Sequence, residues 1–261
     1  MISVVIRTKN QAQALDFSLK NLTQRYASDI GEIIVLDNNS NDNTADLAIK
    51  YGAKYINNID FSYGKSANVA AMNAIYDIVV IFSAHAFPIS HDFFKLIKEK
   101  FAENPNNLAG LRCLHNAGDY KAYINNLDSK IDYNRAGLIF AGSAFNKKVW
   151  EKHHFNEDVI TFEDKEWSRR VLKAGFEIDF VPSIFCYGIS RTKEQLYFRT
   201  KNEMLGSYQI HHIDITLYQA VKHFFYTIFK LIKNCLIDFY FAVKRLFFTI
   251  GFLIKKPKQI K

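Results

Sequence analysis

Short, mostly apolar runs recur through the first 115 residues, with polar loops and segments of helical spacing between them, and this alternation leaves very few folds open. The runs are residues 2–6 (ISVVI), 32–36 (EIIVL) and 78–82 (IVVIF), with shorter ones at 54–56 and 108–113. Continuous β-branched runs of this length read as strands buried on both faces. Between them, Leu15, Leu19, Leu22 and Tyr26 recur at helical spacing. Ser40 or Asn41 is suited to cap a helix that continues to Tyr51 and ends at Gly52. Tyr63-Gly64-Lys65-Ser66 opens another helix, whose Ala67, Ala70, Ala71 and Ala74 allow close packing on a sheet. Phe93, Phe94, Ile97 and Phe101 mark a further helix. The expectation is an α/β fold: a doubly wound, mostly parallel sheet with helices on both faces. Ligands in such sheets sit at the carboxyl ends of the strands, which singles out the loops after Ile6, Leu36 and Phe82.

The second half is less regular. Residues 115–135 give no clear element. Residues 137–145 read as a strand, Lys165–Ala174 as a helix stopped by Gly175, and 177–181 as a strand stopped by Pro182. A composition shift near Asp214 separates a globular body, 1–213, from a tail, 214–261. Of the 261 residues 49% are hydrophobic and 15% aromatic, enough for a sizeable core and unlike a disordered chain. Cys113, Cys186 and Cys235 are too few and too scattered for a disulfide framework or a zinc pattern, which suits a reducing, cytoplasmic compartment. The N-terminus lacks the pattern of a secretory signal.

Three blocks carry candidate chemistry: residues 2–10 (ISVVIRTKN), 32–44 (EIIVLDNNSNDNT) and 64–73 (GKSANVAAMN), the last leading into strand 78–82. Taken alone, DNNSND is as well explained by a polar turn with a helix cap. In series and at this spacing the blocks resemble glycosyltransferase family 2 of the GT-A fold, from Ile2 to about Pro182. Arg7 departs from that pattern, standing where proline is commoner. The resemblance implies a GT-A-like mixed sheet with a nucleotide-binding half, 1–113, and an acceptor half, 114–213. It further implies that Thr8, Asn10, Asp37, Asn39 and Lys65 line a nucleotide pocket, Asp37 reading base or ribose and Lys65 lying near the diphosphate. Ala141-Gly142-Ser143 matches the small-residue stretch beside the sugar, although Gly142 is equally explained by close backbone approach in a sheet.

The family commonly carries Asp-x-Asp after the fourth strand, the second Asp holding a divalent cation. Here Ser83-Ala84-His85 fills that slot. Two readings stay open: His85 ligates Mn²⁺, Mg²⁺ or a similar cation, or no metal is needed and protonated His85, Lys65 or Arg191 neutralises the diphosphate. Thr161-Phe162-Glu163-Asp164 fits a capping box, and the family places an acidic pair with a general base at this point. The resemblance therefore assigns Asp164 as base and Glu163 as its neighbour or an acceptor-hydroxyl contact, with Glu157 and Asp158 as alternatives. Trp167 reads as packing.

The net charge of +8 belongs mainly to the tail, where Asp238 is the single acid from Leu217 onward. Over 217–254 no apolar stretch reaches the ~18 residues of a spanning helix. At helical spacing Lys222, Lys230, Lys233 and Lys244 share one side, opposite an aromatic and aliphatic face. The expectation is an amphipathic helix in a membrane interface, the protein being peripheral at the inner face of the cell membrane. Packing onto the body or a homo-oligomer contact is the bland alternative, and nucleic acid is disfavoured by so large an apolar face. With the family resemblance, this implies an inverting enzyme using a nucleotide-sugar donor and a saccharide or polyprenyl-linked acceptor in envelope polysaccharide or glycolipid assembly. A catalytically silent binding subunit of a membrane complex is the competing reading. A sugar nucleotidyltransferase would want glycines after the first strand, and RTKNQAQ has none.

Overall fold

The computed structural model describes residues 1–57 and 60–258. Its elements are β1 (Ile2–Thr8), α1 (Ala12–Arg25), β2 (Glu32–Asp37), α2 (Thr44–Lys50), β3 (Lys54–Asn57), α3 (Tyr63–Asn73), β4 (Ile78–Ser83), β5 (Ala86–Pro88), α4 (Phe93–Glu103), β6 (Leu108–Leu114), α5 (Ala117–Ile124), α6 (Tyr133–Ala136), β7 (Gly142–Asn146), α7 (Lys147–Trp150), α8 (Glu163–Lys173), β8 (Glu177–Tyr187), α9 (Lys193–His211) and α10 (Leu217–Ile254). The strands form one sheet in the order β3-β2-β1-β4-β7-β6-β8-β5. β1 pairs in parallel with β2 and β4, and β2 with β3, while β7 runs antiparallel to both β4 and β6. β6 and β8 are parallel again, and β5 closes the edge antiparallel to β8. This is the mixed, mostly parallel sheet expected.

The period-2 alternation of strand side chains divides the core in two. Val4, Ile6 and Val35 meet Leu15, Leu19, Phe93 and Phe94 on one face, and Val5, Ile34 and Leu36 meet Ala67, Ala70 and Ala71 on the other. Trp167 is wholly buried in the second core against Phe145 and Phe155, as a packing residue should be.

Several local expectations are corrected. Ser40 and Asn41 do not cap α2, whose N-cap is Asn43; Ser40 instead bonds to Asp37 and Asn10. No capping box forms at Thr161, because Phe162 precedes α8 in a left-handed conformation. The segment 115–135 holds α5 and most of α6, each begun by a side-chain cap, from Asn116 and Asp132. Residues 137–141 are loop, and only Gly142–Asn146 joins the sheet. β8 runs through Pro182 to Tyr187. The β6–β8 register is irregular between Arg112 and Leu114, opposite that stretch, and an irregularity of this kind tolerates the missing N–H. β5 lies inside what reads as a plain loop.

The chain divides into two compact units, Met1–His212 and Ile213–Lys261. The second consists mainly of α10, which opens with a capping box between Thr216 and Gln219 and buries none of its residues. No helix among the described residues is long and apolar enough to cross a membrane.

Candidate active site

The carboxyl ends of β1, β2 and β4 lie side by side, with Thr8 opposite Asp37 and Arg7 opposite Ser83. At the β1–β2 end the loops are tied by their own polar side chains. Asp37 is 1% exposed, and its carboxylate accepts from the Ser40 backbone N–H (3.1 Å), the Ser40 hydroxyl (2.5 Å) and the Tyr55 hydroxyl (2.9 Å). Burial, then the bond to Asp37, raises the Tyr55 phenol to about 12, so it stays a donor. Asn10 accepts from the Asn41 N–H (2.8 Å) and its own N–H donates to Ser40 (2.7 Å). Asn10 and Asn39 both adopt positive φ, a conformation asparagine tolerates better than most residues, which turns each loop sharply at the strand end.

The β4 end differs. The His85 Nδ1 meets Gln11 Oε1 at 2.8 Å; with that oxygen as acceptor, Nδ1 carries the proton and Nε2 presents a lone pair. Nε2 is buried without a partner, as is the Thr8 hydroxyl, and these are the two such side-chain atoms among the described residues. Burial, helped by the charge of Arg191, lowers His85 to about 4, which speaks against the reading of a protonated His85 in the chain without ligand. The His85 ring packs edge-on to Tyr187 at 4.8 Å, and the Tyr187 hydroxyl accepts from Arg191 Nη2 (2.9 Å).

The acidic pair sits in the first turn of α8, where helix N–H groups favour negative charge. Glu163 is 4% exposed and bonds to Arg7 Nη1 (2.9 Å), which also donates to Ser66 (3.1 Å), while Arg7 Nη2 donates to the Phe140 carbonyl (3.1 Å). Burial and the nearby Asp164 raise the Glu163 carboxyl above its ordinary value against the pull of Arg7. Asp164 accepts from the N–H groups of Phe140 (2.9 Å) and Lys165 (2.8 Å) and is only partly buried. Glu157 bonds to Asn68, and Asp158 lies exposed beyond it. Lys65 stands in the first turn of α3 in an ion pair with Asp60. A Cβ on Gly142 would come within 2.7 Å of the Phe185 ring, which explains that glycine by packing.

The cation implied by family resemblance can be tested on the donor set. Mg²⁺ and Mn²⁺ take mainly oxygen ligands. No three His, Cys, Asp or Glu side chains converge among the described residues, and the slot offers one imidazole nitrogen beside a serine. These residues do not fit a protein-held cation of that kind.

Sequence reasoning missed Gln11, Tyr187 and His115. His115 follows β6, contacts Asp119, and stacks on Phe185 beside Tyr187. None carries a local pattern; they meet only through the sheet. Two surface cavities, of about 440 and 370 Å³, are lined by other residues, the first around Tyr123 and Phe180, the second around Arg169 and His212.

A doubly wound sheet with polar loops at the ends of β1, β2 and β4, and an acidic pair opening a later helix, defines the GT-A class of nucleotide-dependent transferases. The chain belongs to glycosyltransferase family 2, whose model (Glycosyl transferase family 2) matches residues 3–165. It is 26% identical over 234 residues to the dolichyl N-acetyl-alpha-D-glucosaminyl phosphate 3-beta-D-2,3-diacetamido-2,3-dideoxy-beta-D-glucuronosyltransferase of Methanococcus voltae, covering 76% of this chain and 70% of that one. Among solved structures it is similar in fold to the mannosyltransferase PcManGT of Pyrobaculum calidifontis, in complex with GDP-Man and Mn²⁺, with TM-score 0.65 and 15% identity. That match covers 84% of this chain and 66% of the other, so this chain spans just under two thirds of PcManGT. It is also similar to glucosyl-3-phosphoglycerate synthase of Mycobacterium tuberculosis, in complex with Mn²⁺, UDP and glucosyl-3-phosphoglycerate (TM-score 0.60, 15% identity, 83% and 81% covered).

Proposed function

We propose that this chain transfers a sugar from a nucleotide-sugar donor, with inversion, to a saccharide or lipid-linked acceptor. The observation that carries the reading is the pair of orphaned buried atoms, Thr8 Oγ1 and His85 Nε2, on neighbouring strand ends. Buried polar side-chain atoms are ordinarily satisfied, and unsatisfied ones concentrated at the ligand end of an α/β sheet mark a place where a ligand supplies the partner.

In this reading Asn10, Asn39 and the Asp37 loop receive the nucleoside, and Lys65, Ser83, His85 and Gly142 border the diphosphate and sugar. The acceptor oxygen attacks the anomeric carbon from the face opposite the diphosphate. The carbon–oxygen bond to the diphosphate breaks with its electron pair leaving on phosphate oxygen, and the acceptor proton passes to Asp164. Glu163 is engaged with Arg7, which leaves Asp164 the freer carboxylate. The lipid-linked acceptor is supported by the Methanococcus relative, whose name specifies a dolichyl phosphate-linked acceptor. It is supported too by the lysine and aromatic faces of α10, which suit peripheral binding to an anionic membrane at the cytoplasmic side.

Two experiments test this. Transfer or slow hydrolysis from a panel of nucleotide-sugars should be measurable with the full chain and lost in Asp164→Asn; undiminished turnover in a folded Asp164→Asn would sink the base assignment. Removing 217–261 should abolish sedimentation with phosphatidylglycerol vesicles, and retained sedimentation would refute the membrane role of the tail. The absence of carboxylates from the 83–85 slot favours a second reading, a silent nucleotide-binding subunit, which predicts nucleotide binding without turnover.

A further inference from the structure

We propose that Arg191, held on Tyr187, takes the part of a divalent cation at the donor diphosphate, so that nucleotide binding by this chain is independent of metal. The inference rests on the nucleotide-sugar reading above. Four observations carry it.

The donor set at Ser83-Ala84-His85 lacks carboxylates, and one His85 nitrogen is already turned to Gln11. A doubly charged ion there would meet a single imidazole, with a guanidinium nearby to repel it. Next, the sheet itself delivers Arg191 to this slot. Ala86 pairs with Tyr187, and the Gly188 N–H donates to the His85 carbonyl (3.2 Å), which brings the chain leaving β8 alongside the β4–β5 turn.

Arg191 is also fixed there rather than free to swing. Its Nη2 donates to the Tyr187 hydroxyl (2.9 Å), its Cζ lies 6.0 Å from the Tyr187 ring, and that ring lies 4.8 Å from His85. Finally, Arg191 has no carboxylate within ion-pair distance among the described residues, whereas Arg7 is committed to Glu163 and Lys65 to Asp60. A half-buried guanidinium without an anion, its remaining N–H groups unassigned, is matched in geometry and charge by a diphosphate.

The test is calorimetric titration of UDP, GDP and dTDP, with the matching nucleosides as controls, into the full chain in excess EDTA and separately in Mn²⁺. The nucleoside diphosphate that binds should do so equally in both. Arg191→Ala should weaken it by about 10–100-fold, the effect of one charge-assisted contact, and leave nucleoside binding unchanged. Arg191→Lys should recover only part. Binding that disappears in EDTA and returns with Mn²⁺ overturns the proposal, as does wild-type affinity in a folded Arg191→Ala. If that variant does not fold, the wild-type EDTA comparison still decides. No binding of any nucleotide with or without Mn²⁺ would instead bring down the donor reading on which this one stands.

Discussion

At the loop after β2, Asp37 receives three hydrogen bonds from Ser40 and Tyr55; at the loop after β4, His85 keeps one buried nitrogen with no partner at all. The first loop is organised before any ligand arrives, by side chains from its own segment and from β3. The second is built from distant segments, Gln11 before α1 and Tyr187 and Arg191 from the end of β8 and beyond, and still lacks a partner for Nε2. A pre-tied loop presents its remaining acceptors at little conformational cost, which suits recognition of a rigid nucleoside. An unfinished polar pocket suits a group that changes charge during the reaction, because ligand and leaving group can complete it in turn.

The contrast can be broken or sharpened experimentally. The largest effect is expected at the proposed base: Asp164→Asn should lower turnover by roughly 10²–10⁴-fold with nucleotide binding retained, the range for loss of a general base. Arg7→Ala comes next, because it strands the buried Glu163 carboxylate. Denaturant unfolding should show a loss of about 3–5 kcal/mol, and Glu163→Gln in the same chain should restore part of it. If Arg7→Ala is neutral, the pair does not hold the catalytic side together. Gly142→Ala should destabilise by about 1–3 kcal/mol by driving a methyl into Phe185, which would settle that glycine as packing. Tyr55→Phe should cost only about 1 kcal/mol and weaken nucleotide binding modestly, since Ser40 still holds Asp37.

One further effect probes the β4 end by pH. His85 is lowered to about 4 in the folded chain and titrates near ~6.5 when unfolded. Between those values the unfolded state binds the extra proton, so stability falls as pH drops from ~6.5 towards ~4 and is fully present above ~6.5. His85→Gln should flatten the slope, and an NMR titration of His85 in the folded protein that centres near 6.5 would refute its burial as a neutral ring.

Local pattern made β1, β2, β3, β4, β6, α1, α3, α4 and α10 legible, the last to its boundaries at 217 and 254. Hydrophobic period and capping chemistry are properties of neighbouring residues and survive in the linear sequence. The loops after Ile6, Leu36 and Phe82, which hold Thr8, Asp37, Ser83 and His85, were legible for the same reason: they follow apolar runs, and a doubly wound sheet puts such positions at one edge. The misses share a different cause. α5 and α6 are short, polar and held by caps, with little periodicity to read. Pro182 reads as a stop, yet β8 passes it because its pairing is already irregular there.

What the sequence determined by itself is the alternation of elements, the sheet edge that gathers the candidate residues, and the amphipathic tail. What only the tertiary structure decided is who partners whom at that edge. Arg7 finds Glu163 across 156 positions, and Gln11 finds His85 across 74. Arg191 reaches the β4 slot only because β5 and β8 pair. Such contacts carry no period and no spacing rule, since they are set by the sheet order and by the few ångströms that separate side chains once the two cores have packed.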